Sequence, residues 1–263
     1  MVHLMNNARG KILLLVEGER LEKLVFKELS RLYGLKSEIF CLRCNIFMLY
    51  NVMKQYDFNA SIKDILTEKS SISIYDEDRD ILTNNKFAYT YLILDFDLQH
   101  SINNVELELK QIREMCEYFK DETDDTIGKL YINYPMMESF RDRDDFIDEK
   151  FMNKIVCIND FVKYKEIAGK CKLSSTHINN YKKEGFDEII KSNLNKASVK
   201  LFENKIFNYH NYLKFISAMS MFEKQCLYVA QGYVYVLNTS LFLLIDYFGE
   251  RFFNFLFVTK NNY

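Results

Sequence analysis

The chain has 263 residues, of which 48% are hydrophobic and 27% are charged, a balance typical of folded globular proteins rather than of disordered chains. The formal net charge of −2 provides no global positive field, so a nucleic-acid partner must be held by a local basic patch or through metal-bridged phosphates. The cysteines lie scattered in core-like segments and no secretory signal is visible, which predicts reduced thiols and a cytoplasmic location.

Two local features suggest a zinc site and a membrane span, and neither is favoured. Cys41-x-x-Cys44 has the spacing of half a zinc site, but no second pair lies near it, so we favour two reduced thiols. The apolar stretch 234–248 contains Asn238 and Asp246, and it is too polar and too short to span a bilayer. We therefore expect no membrane association.

The N-terminal half alternates short apolar runs with amphipathic stretches. Residues 11–16 predict a buried strand, and residues 21–33 carry apolar side chains at helical spacing until Gly34. The further predicted elements are a strand at 37–44, helices at 46–56 and 61–68, an acidic loop at 75–80, a strand at 91–95, a helix at 103–119, a polar turn at 121–128 and a strand at 129–133. This alternation predicts an α/β fold with a central parallel sheet flanked by helices.

After Glu138 the pattern becomes mostly helical and rich in lysine, asparagine and tyrosine. The final apolar section, 228–257, predicts a strand at 233–237 and a closing helix. We therefore expect an α/β catalytic core over residues 1–145 and a mainly helical C-terminal region over 146–263 that packs on it.

Four carboxylates fall at or just past the ends of the predicted strands: Glu17, Asp95, Asp97 and Glu138. In open parallel sheets, ligand sites lie at the carboxyl ends of the strands. Several acids at one edge would repel each other unless a divalent cation neutralised them, and hard oxygen ligands suit Mg²⁺ or Mn²⁺. The sequence therefore predicts a metal site at this edge.

The first two groups of acids each have a simpler alternative. Gly18 allows a tight turn that exposes Glu17, but Glu17 fits equally well as an acid that begins the next helix. Glu22 lies in the first turns of that helix and is expected to reach the same space. Asp95 and Asp97 point the same way in an extended segment and can share a cation, although an acidic loop after a strand would have the same sequence.

The third group is the segment 133–138, Asn-Tyr-Pro-Met-Met-Glu. Pro135 restricts the preceding residue to extended geometry and suits a helix start, which places Glu138 in a first turn, as a ligand or simply as a helix-starting acid. Arg141 and Arg143 follow, and they contact a phosphate or pair with neighbouring acids; pairing is slightly favoured. Those acids are Asp142, Asp144 and Asp145.

The order of these motifs resembles the Toprim domain, which is shared by topoisomerases, primases and several defence-associated nucleases. The chain resembles RloB-like proteins in particular, whose first motif, Glu-Gly-Glu-x-x-Glu, is matched by residues 17–22. Their third motif, an Asn-Pro pair followed by Glu at a helix start, is similar to 133–138, and their Tyr-Lys-rich helical tail is similar to 181–202. The resemblance covers residues 11 to about 205.

The resemblance implies a Mg²⁺-dependent (or Mn²⁺-dependent) nuclease that cuts tRNA, other RNA or DNA, a toxic effector in anti-phage or abortive-infection defence, and an ATPase partner protein. Glu17 would act as general acid/base or bridging ligand, Asp95 and Asp97 would hold the metal with Glu22 nearby, and Glu138 would complete the site. The residues expected to bind substrate are Arg141, Lys182 and Lys183.

Two other functions stay open. One is a non-catalytic Toprim-like regulatory or binding subunit of an ATPase-containing defence complex. The other is a different metal-dependent phosphotransferase, such as a primase-like or nucleotide-hydrolysing enzyme. None of the eighteen tyrosines stands out as a nucleophile, so topoisomerase activity is not expected. The choice between RNA and DNA, the activating trigger and any oligomerisation stay open.

Overall fold

The computed structural model describes residues 10–68, 72, 74–98, 104–124 and 126–258. These residues pack as two compact units. The first unit comprises the described residues of Met1–Asp95 and Ser101–Tyr131, and the second comprises those of Phe96–His100 and Ile132–Tyr263. The division comes ahead of the boundary expected at residue 145, so the segment around Glu138 belongs to the second unit.

A central sheet forms the core of the first unit. Its strands are β1 (Ile12–Val16), β2 (Ser37–Cys41), β3 (Tyr89–Asp95), β4 (Lys120–Asp121) and β5 (Gly128–Asn133). Among the described residues the strand order is β2-β1-β3-β5-β4, and β1 pairs in parallel with both β2 and β3. The predicted α/β fold with a mostly parallel sheet is confirmed. The short β4, antiparallel to β5, was not predicted from the sequence.

Helices flank this sheet: α1 (Leu21–Tyr33), α2 (Ile46–Gln55), α3 (Ile62–Thr67), α4 (Asp76–Asn84) and α5 (Val105–Tyr118). The bounds predicted for α1 are confirmed. Gly34 ends that helix in the left-handed conformation, at φ 68°, which glycine adopts without steric cost.

Two sequence predictions in the first unit were wrong. The acidic segment 75–80 is not a loop but contains the first turn of α4, where negative side chains interact favourably with the helix dipole. The second strand ends at Cys41 rather than at residue 44. Arg43 adopts a positive φ of 51°, and the Asn45 side chain caps α2 by accepting a hydrogen bond from the Met48 N–H.

The register of the parallel strands decides which residues meet at the carboxyl edge of the sheet. Val16 lies opposite Cys41 on one side and Ile93 on the other. All five residues of β1 are fully buried, as in strands covered on both faces, and each such side chain contributes about 1.5–3 kcal/mol through burial. Because Val16 is paired with residues of both neighbouring strands, Glu17 and Asp95 lie at the same carboxyl edge of the sheet.

The second unit consists mainly of short helices and 3₁₀ turns. A two-stranded antiparallel sheet joins β6 (Ile155–Cys157) to β7 (Tyr233–Tyr235). The helices are α6 (Tyr164–Gly169), α7 (Lys172–Ser175), α8 (Lys183–Lys196), α9 (Tyr209–Phe215), α10 (Ala218–Val229), α11 (Leu243–Phe248) and α12 (Glu250–Val258), and a π-helical turn, Ala197–Leu201, follows α8.

The C-terminal apolar section was predicted only in part. Strand β7 is shorter than the predicted 233–237, and the single closing helix is two helices, α11 and α12, separated by Gly249 at φ 74°. In the part of the chain that the structure describes, no helix is both long enough and apolar enough to cross a bilayer.

Candidate functional site

Glu17 and Asp95 are joined at the carboxyl edge of the sheet. The backbone N–H of Glu17 donates to the Ile93 carbonyl at 3.1 Å, continuing the β1–β3 ladder. The next ladder position is occupied by a side chain, because Oε2 of Glu17 accepts from the Asp95 N–H at 3.0 Å. Asp95 is 8% exposed and Glu17 is half-buried. Two acids that are 78 residues apart in sequence are thus held at adjacent strand ends.

Glu22 lies over the turn between β1 and α1. It is the second residue of α1 and is 8% exposed. A Cβ at Gly18 would overlap both carboxylate oxygens of Glu22, so only glycine allows this close approach. The Glu22 carboxylate therefore lies beside Gly18, and its part in the site of Glu17 stays a prediction. Helix α1 begins at Leu21, so Glu17 lies before the helix rather than inside it.

The remaining acid of the motif, Glu19, is exposed. Its carboxylate pairs with the Arg43 guanidinium and accepts a hydrogen bond from the Tyr75 hydroxyl at 3.2 Å. The guanidinium carbon of Arg43 lies 3.7 Å from the centroid of the Tyr75 ring. Glu19 is thus engaged in a surface cluster with an arginine and an aromatic ring.

Cys41 and Cys44 lie close to the same turn. The Cys41 thiol donates to the Gly18 carbonyl at 3.3 Å, and burial raises its pKa. Burial, together with the negative charge of Glu17, raises the pKa of Cys44 to about 12. Both shifts favour the neutral thiol.

Asp97 and Glu138 belong to the second unit. Asp97 follows the end of β3 by two residues and is half-buried. Glu138 lies in a 3₁₀ helix, Met137–Phe140, so its predicted place in a first helical turn is confirmed. The Nζ of Lys165 lies 3.9 Å from Oε1 of Glu138. That Asp97 and Glu138 share one metal site with Glu17 and Asp95 stays a prediction.

The donor set at the sheet edge suits a hard cation. Within the described residues, no group of three or more His, Cys, Asp and Glu side chains is arranged to hold one ion. Mg²⁺, however, is commonly bound by one or two carboxylates, with waters and substrate phosphates as its other ligands. Glu17 and Asp95 fit that pattern of ligation, and both offer only oxygen.

The prediction that Arg141 and Arg143 pair with neighbouring acids was wrong for Arg143. The buried carboxylate of Asp142 instead accepts from the Lys154 Nζ at 2.6 Å. Arg143 donates to the Ser192 hydroxyl. Arg141 is half-buried, and its Nε is buried without a hydrogen-bond partner.

The two lysines expected to bind substrate differ in their surroundings. Lys182 is exposed immediately before α8. The Nζ of Lys183 lies 3.4 Å from Oδ2 of Asp187 and 5.0 Å from the centroid of the Phe255 ring. Lys196, from the same lysine-rich stretch, is fully buried and so is not part of a surface patch.

A buried polar network around Asn133 was not predicted from the sequence. Asn133 is fully buried, and its Oδ1 accepts from the Ser240 N–H at 3.2 Å, while its backbone carbonyl accepts from the Phe96 N–H at 3.0 Å. The Ser240 hydroxyl lies 2.9 Å from Oδ1 of Asn238. Asn133 was visible as part of a motif, but partners more than a hundred residues away leave no local signal.

No family model matches the chain, and no curated protein or solved structure matches it.

Proposed function

We propose that the chain is a magnesium-dependent nuclease of the Toprim type, which hydrolyses phosphodiester bonds in RNA or DNA. The observation that carries the proposal is the hydrogen bond from the Asp95 N–H to the Glu17 carboxylate. It holds two acids together at the carboxyl ends of neighbouring parallel strands, where the Toprim resemblance expects metal-binding acids and where open α/β sheets bind ligands.

Glu17 and Asp95 would hold the divalent cation, and Asp97 and Glu138 would complete the site as the resemblance implies. When bound, Mg²⁺ would polarise the phosphate and lower the pKa of the attacking water. Glu17 is positioned by the Asp95 N–H, so less side-chain entropy is lost when it orders around a ligand. Its carboxylate is the group assigned to accept the proton of the water.

The proposed substrate contacts are Arg141, Lys182 and Lys183. Arg141 has a buried Nε without a hydrogen-bond partner, which suits a phosphate oxygen. Lys182 is exposed and Lys183 follows it at the start of α8. With a net charge of −2 the chain depends on such local groups rather than on a global field.

The biological role is proposed from the resemblance alone: a cytoplasmic toxic effector of anti-phage defence, regulated by an ATPase partner protein. A cleavage assay can distinguish RNA from DNA as the substrate.

The test is cleavage of tRNA, single-stranded RNA or DNA, and duplexes by the purified protein with Mg²⁺ or Mn²⁺. We expect the wild type to cleave at least one of them, and Glu17→Gln or Asp95→Asn to slow cleavage by about 10²- to 10⁴-fold. Glu19→Gln is the matched control, because Glu19 lies in the same motif but is engaged with Arg43 and Tyr75.

Calorimetry with Mn²⁺ separates the alternatives. Binding that is lost in the Glu17→Gln, Asp95→Asn double variant, without cleavage of any substrate, would favour the non-catalytic subunit. Equal cleavage by wild type and double variant would refute the assignment of these residues.

A further inference from the structure

Arg143 is a fully buried arginine in the second unit. Its guanidinium carbon lies 3.7 Å from the centroid of the Phe151 ring, a cation–π contact. Its Nη1 donates to the Ser192 hydroxyl at 2.5 Å. The ring and the hydroxyl together fix both the plane and the rotation of the guanidinium.

The opposite edge of this guanidinium has no partner. Nε and Nη2 are buried and form no hydrogen bond. These two atoms carry parallel N–H bonds, the arrangement that binds two oxygens of one phosphate or carboxylate in bidentate fashion. Leaving buried, charged donors unsatisfied costs at least about 1–3 kcal/mol, so a positioned edge without a hydrogen-bond partner calls for an explanation.

A second basic side chain is buried beside Arg143. Lys196 is also fully buried, and its Nζ lies 4.2 Å from the centroid of the same Phe151 ring. Its N–H groups are bound to the carbonyls of Phe151 and Lys154, both at 2.7 Å, so only neutral groups receive them.

The acids nearby are already engaged. Asp142 accepts from Lys154 and from the Tyr164 hydroxyl. Asp148, whose charge acts on Arg143, accepts the N–H groups of Asp144 and Lys150. Burial lowers the pKa of Arg143 to about 10, so the guanidinium is still charged at neutral pH.

We propose that Nε and Nη2 of Arg143 form a binding site for a compact phosphate-type oxyanion, either inorganic phosphate or the terminal phosphate of a nucleotide. Two donors of fixed orientation match two phosphate oxygens, and the negative charge would balance the charge of Arg143. Full burial favours a small or terminal group over an internal phosphodiester, which is flanked by two sugars.

This site does not depend on the nuclease proposal. All of its residues belong to the second unit, and none of them is assigned to metal binding or catalysis. Loss of cleavage in a Glu17 or Asp95 variant therefore says nothing about the site, and its failure leaves the metal-dependent activity untouched.

The experiment is a titration of the full chain with inorganic phosphate, followed by NMR of ¹⁵N-labelled arginine side chains. Phosphate is expected to shift the Nε–H resonance of Arg143, while chloride at equal ionic strength leaves it in place. Adenosine monophosphate and a 5′-phosphorylated oligonucleotide are then compared with their unphosphorylated forms to distinguish free from terminal phosphate.

Arg143→Lys keeps the charge but removes the bidentate edge, and should weaken phosphate binding in calorimetry by at least about tenfold. Ser192→Ala, a milder change that frees Nη1, should weaken it less, and the exposed Lys150→Ala should not alter it. If Arg143→Lys does not fold, the wild-type NMR titration and Ser192→Ala decide the question. An unshifted Nε–H resonance at saturating phosphate, or unchanged affinity in Arg143→Lys, would overturn the proposal.

Discussion

The carboxyl edge of the central sheet and the interior of the second unit contain charge of opposite sign, arranged by different means. At the sheet edge, regular parallel strands bring Glu17 and Asp95 together, and the Asp95 N–H donates a hydrogen bond to the Glu17 carboxylate. In the second unit, short irregular elements enclose Arg143 and Lys196 around one aromatic ring. The acids lie at the end of a scaffold, whereas the cations are part of a core.

It follows that neutralising an acid should change the free energy of unfolding much less at the sheet edge than inside the second unit. Like charges at the end of a rigid scaffold repel each other, so neutralising one of them should cost little. Inside a core, removing a counter-charge leaves the partner charge buried and uncompensated, which is expensive. The two regions can therefore be compared by substitutions that change only charge.

The largest effect is expected from Asp142→Asn. Within the described residues of the second unit Asp142 is the one buried acid, and it binds both Lys154 and Tyr164. Its neutralisation should lower the free energy of unfolding by about 3–5 kcal/mol, measured by urea denaturation.

Asp95→Asn at the sheet edge is the matched change, since it also neutralises a buried aspartate. We expect it to alter the free energy of unfolding by less than about 1 kcal/mol, because it relieves repulsion and preserves the backbone N–H bound by Glu17. A similar decrease in the free energy of unfolding in Asp95→Asn and Asp142→Asn would show that the two regions do not differ in this respect.

A smaller effect should appear in the pH dependence of stability. Burial, with the positive charges of Arg143 and Lys154, lowers the pKa of Lys196 well below its ordinary value of 10.5. Between the folded and unfolded pKa values the unfolded chain binds more protons, so this group makes the free energy of unfolding rise with pH, by at most about 1.4 kcal/mol per pH unit.

Lys196→Met should remove this rise between the folded and unfolded pKa values, whatever it does to stability at a single pH. Urea titrations over a pH series measure the slope, and exposed Lys150→Met should keep the wild-type slope. An unchanged slope in Lys196→Met would show that the amine is not disfavoured in its charged form.

The smallest change in stability is expected for Gly18→Ala. The φ of Gly18 lies outside the left-handed region, so the new Cβ mainly displaces the flexible end of Glu22. We expect a change below about 1 kcal/mol in the free energy of unfolding and a loss of roughly tenfold or more in Mg²⁺-dependent cleavage.

Gly34→Ala provides the contrasting control. It has open space but a φ of 68°, and should lower stability by about 1 kcal/mol without affecting the metal dependence. If Gly18→Ala leaves cleavage unchanged, Glu22 has no part in the site.

The sequence pattern was sufficient to predict the helices and strands whose ends are set by neighbouring residues. Helix α1 could be predicted to its last residue because its apolar spacing and Gly34 are both local signals. Helix α4 could not, because an acidic run before an apolar residue is equally typical of a loop and of a helical first turn. The antiparallel β4, only two residues long, carries no periodicity at all.

The sheet-edge acids could be predicted from the sequence, whereas the buried cations of the second unit could not. Glu17 and Asp95 could be paired from sequence because each follows an apolar run, and parallel strands end at a common edge. Arg143 could not be assigned, since its burial depends on Phe151 and Ser192, which lie in other elements. Its sequence neighbours, mostly acids, suggested salt bridges that the fold does not form.

The sequence by itself determined the α/β character of the chain, the buried strand β1 and the position of acids at strand ends, because hydrophobic periodicity and turn chemistry act over a few residues. The contact of Glu17 with the Asp95 backbone, and the burial of Arg143 with its Nε–Nη2 edge unpaired, became visible in the folded structure alone. Register and burial are set by contacts between residues far apart in the chain, and no local pattern encodes them.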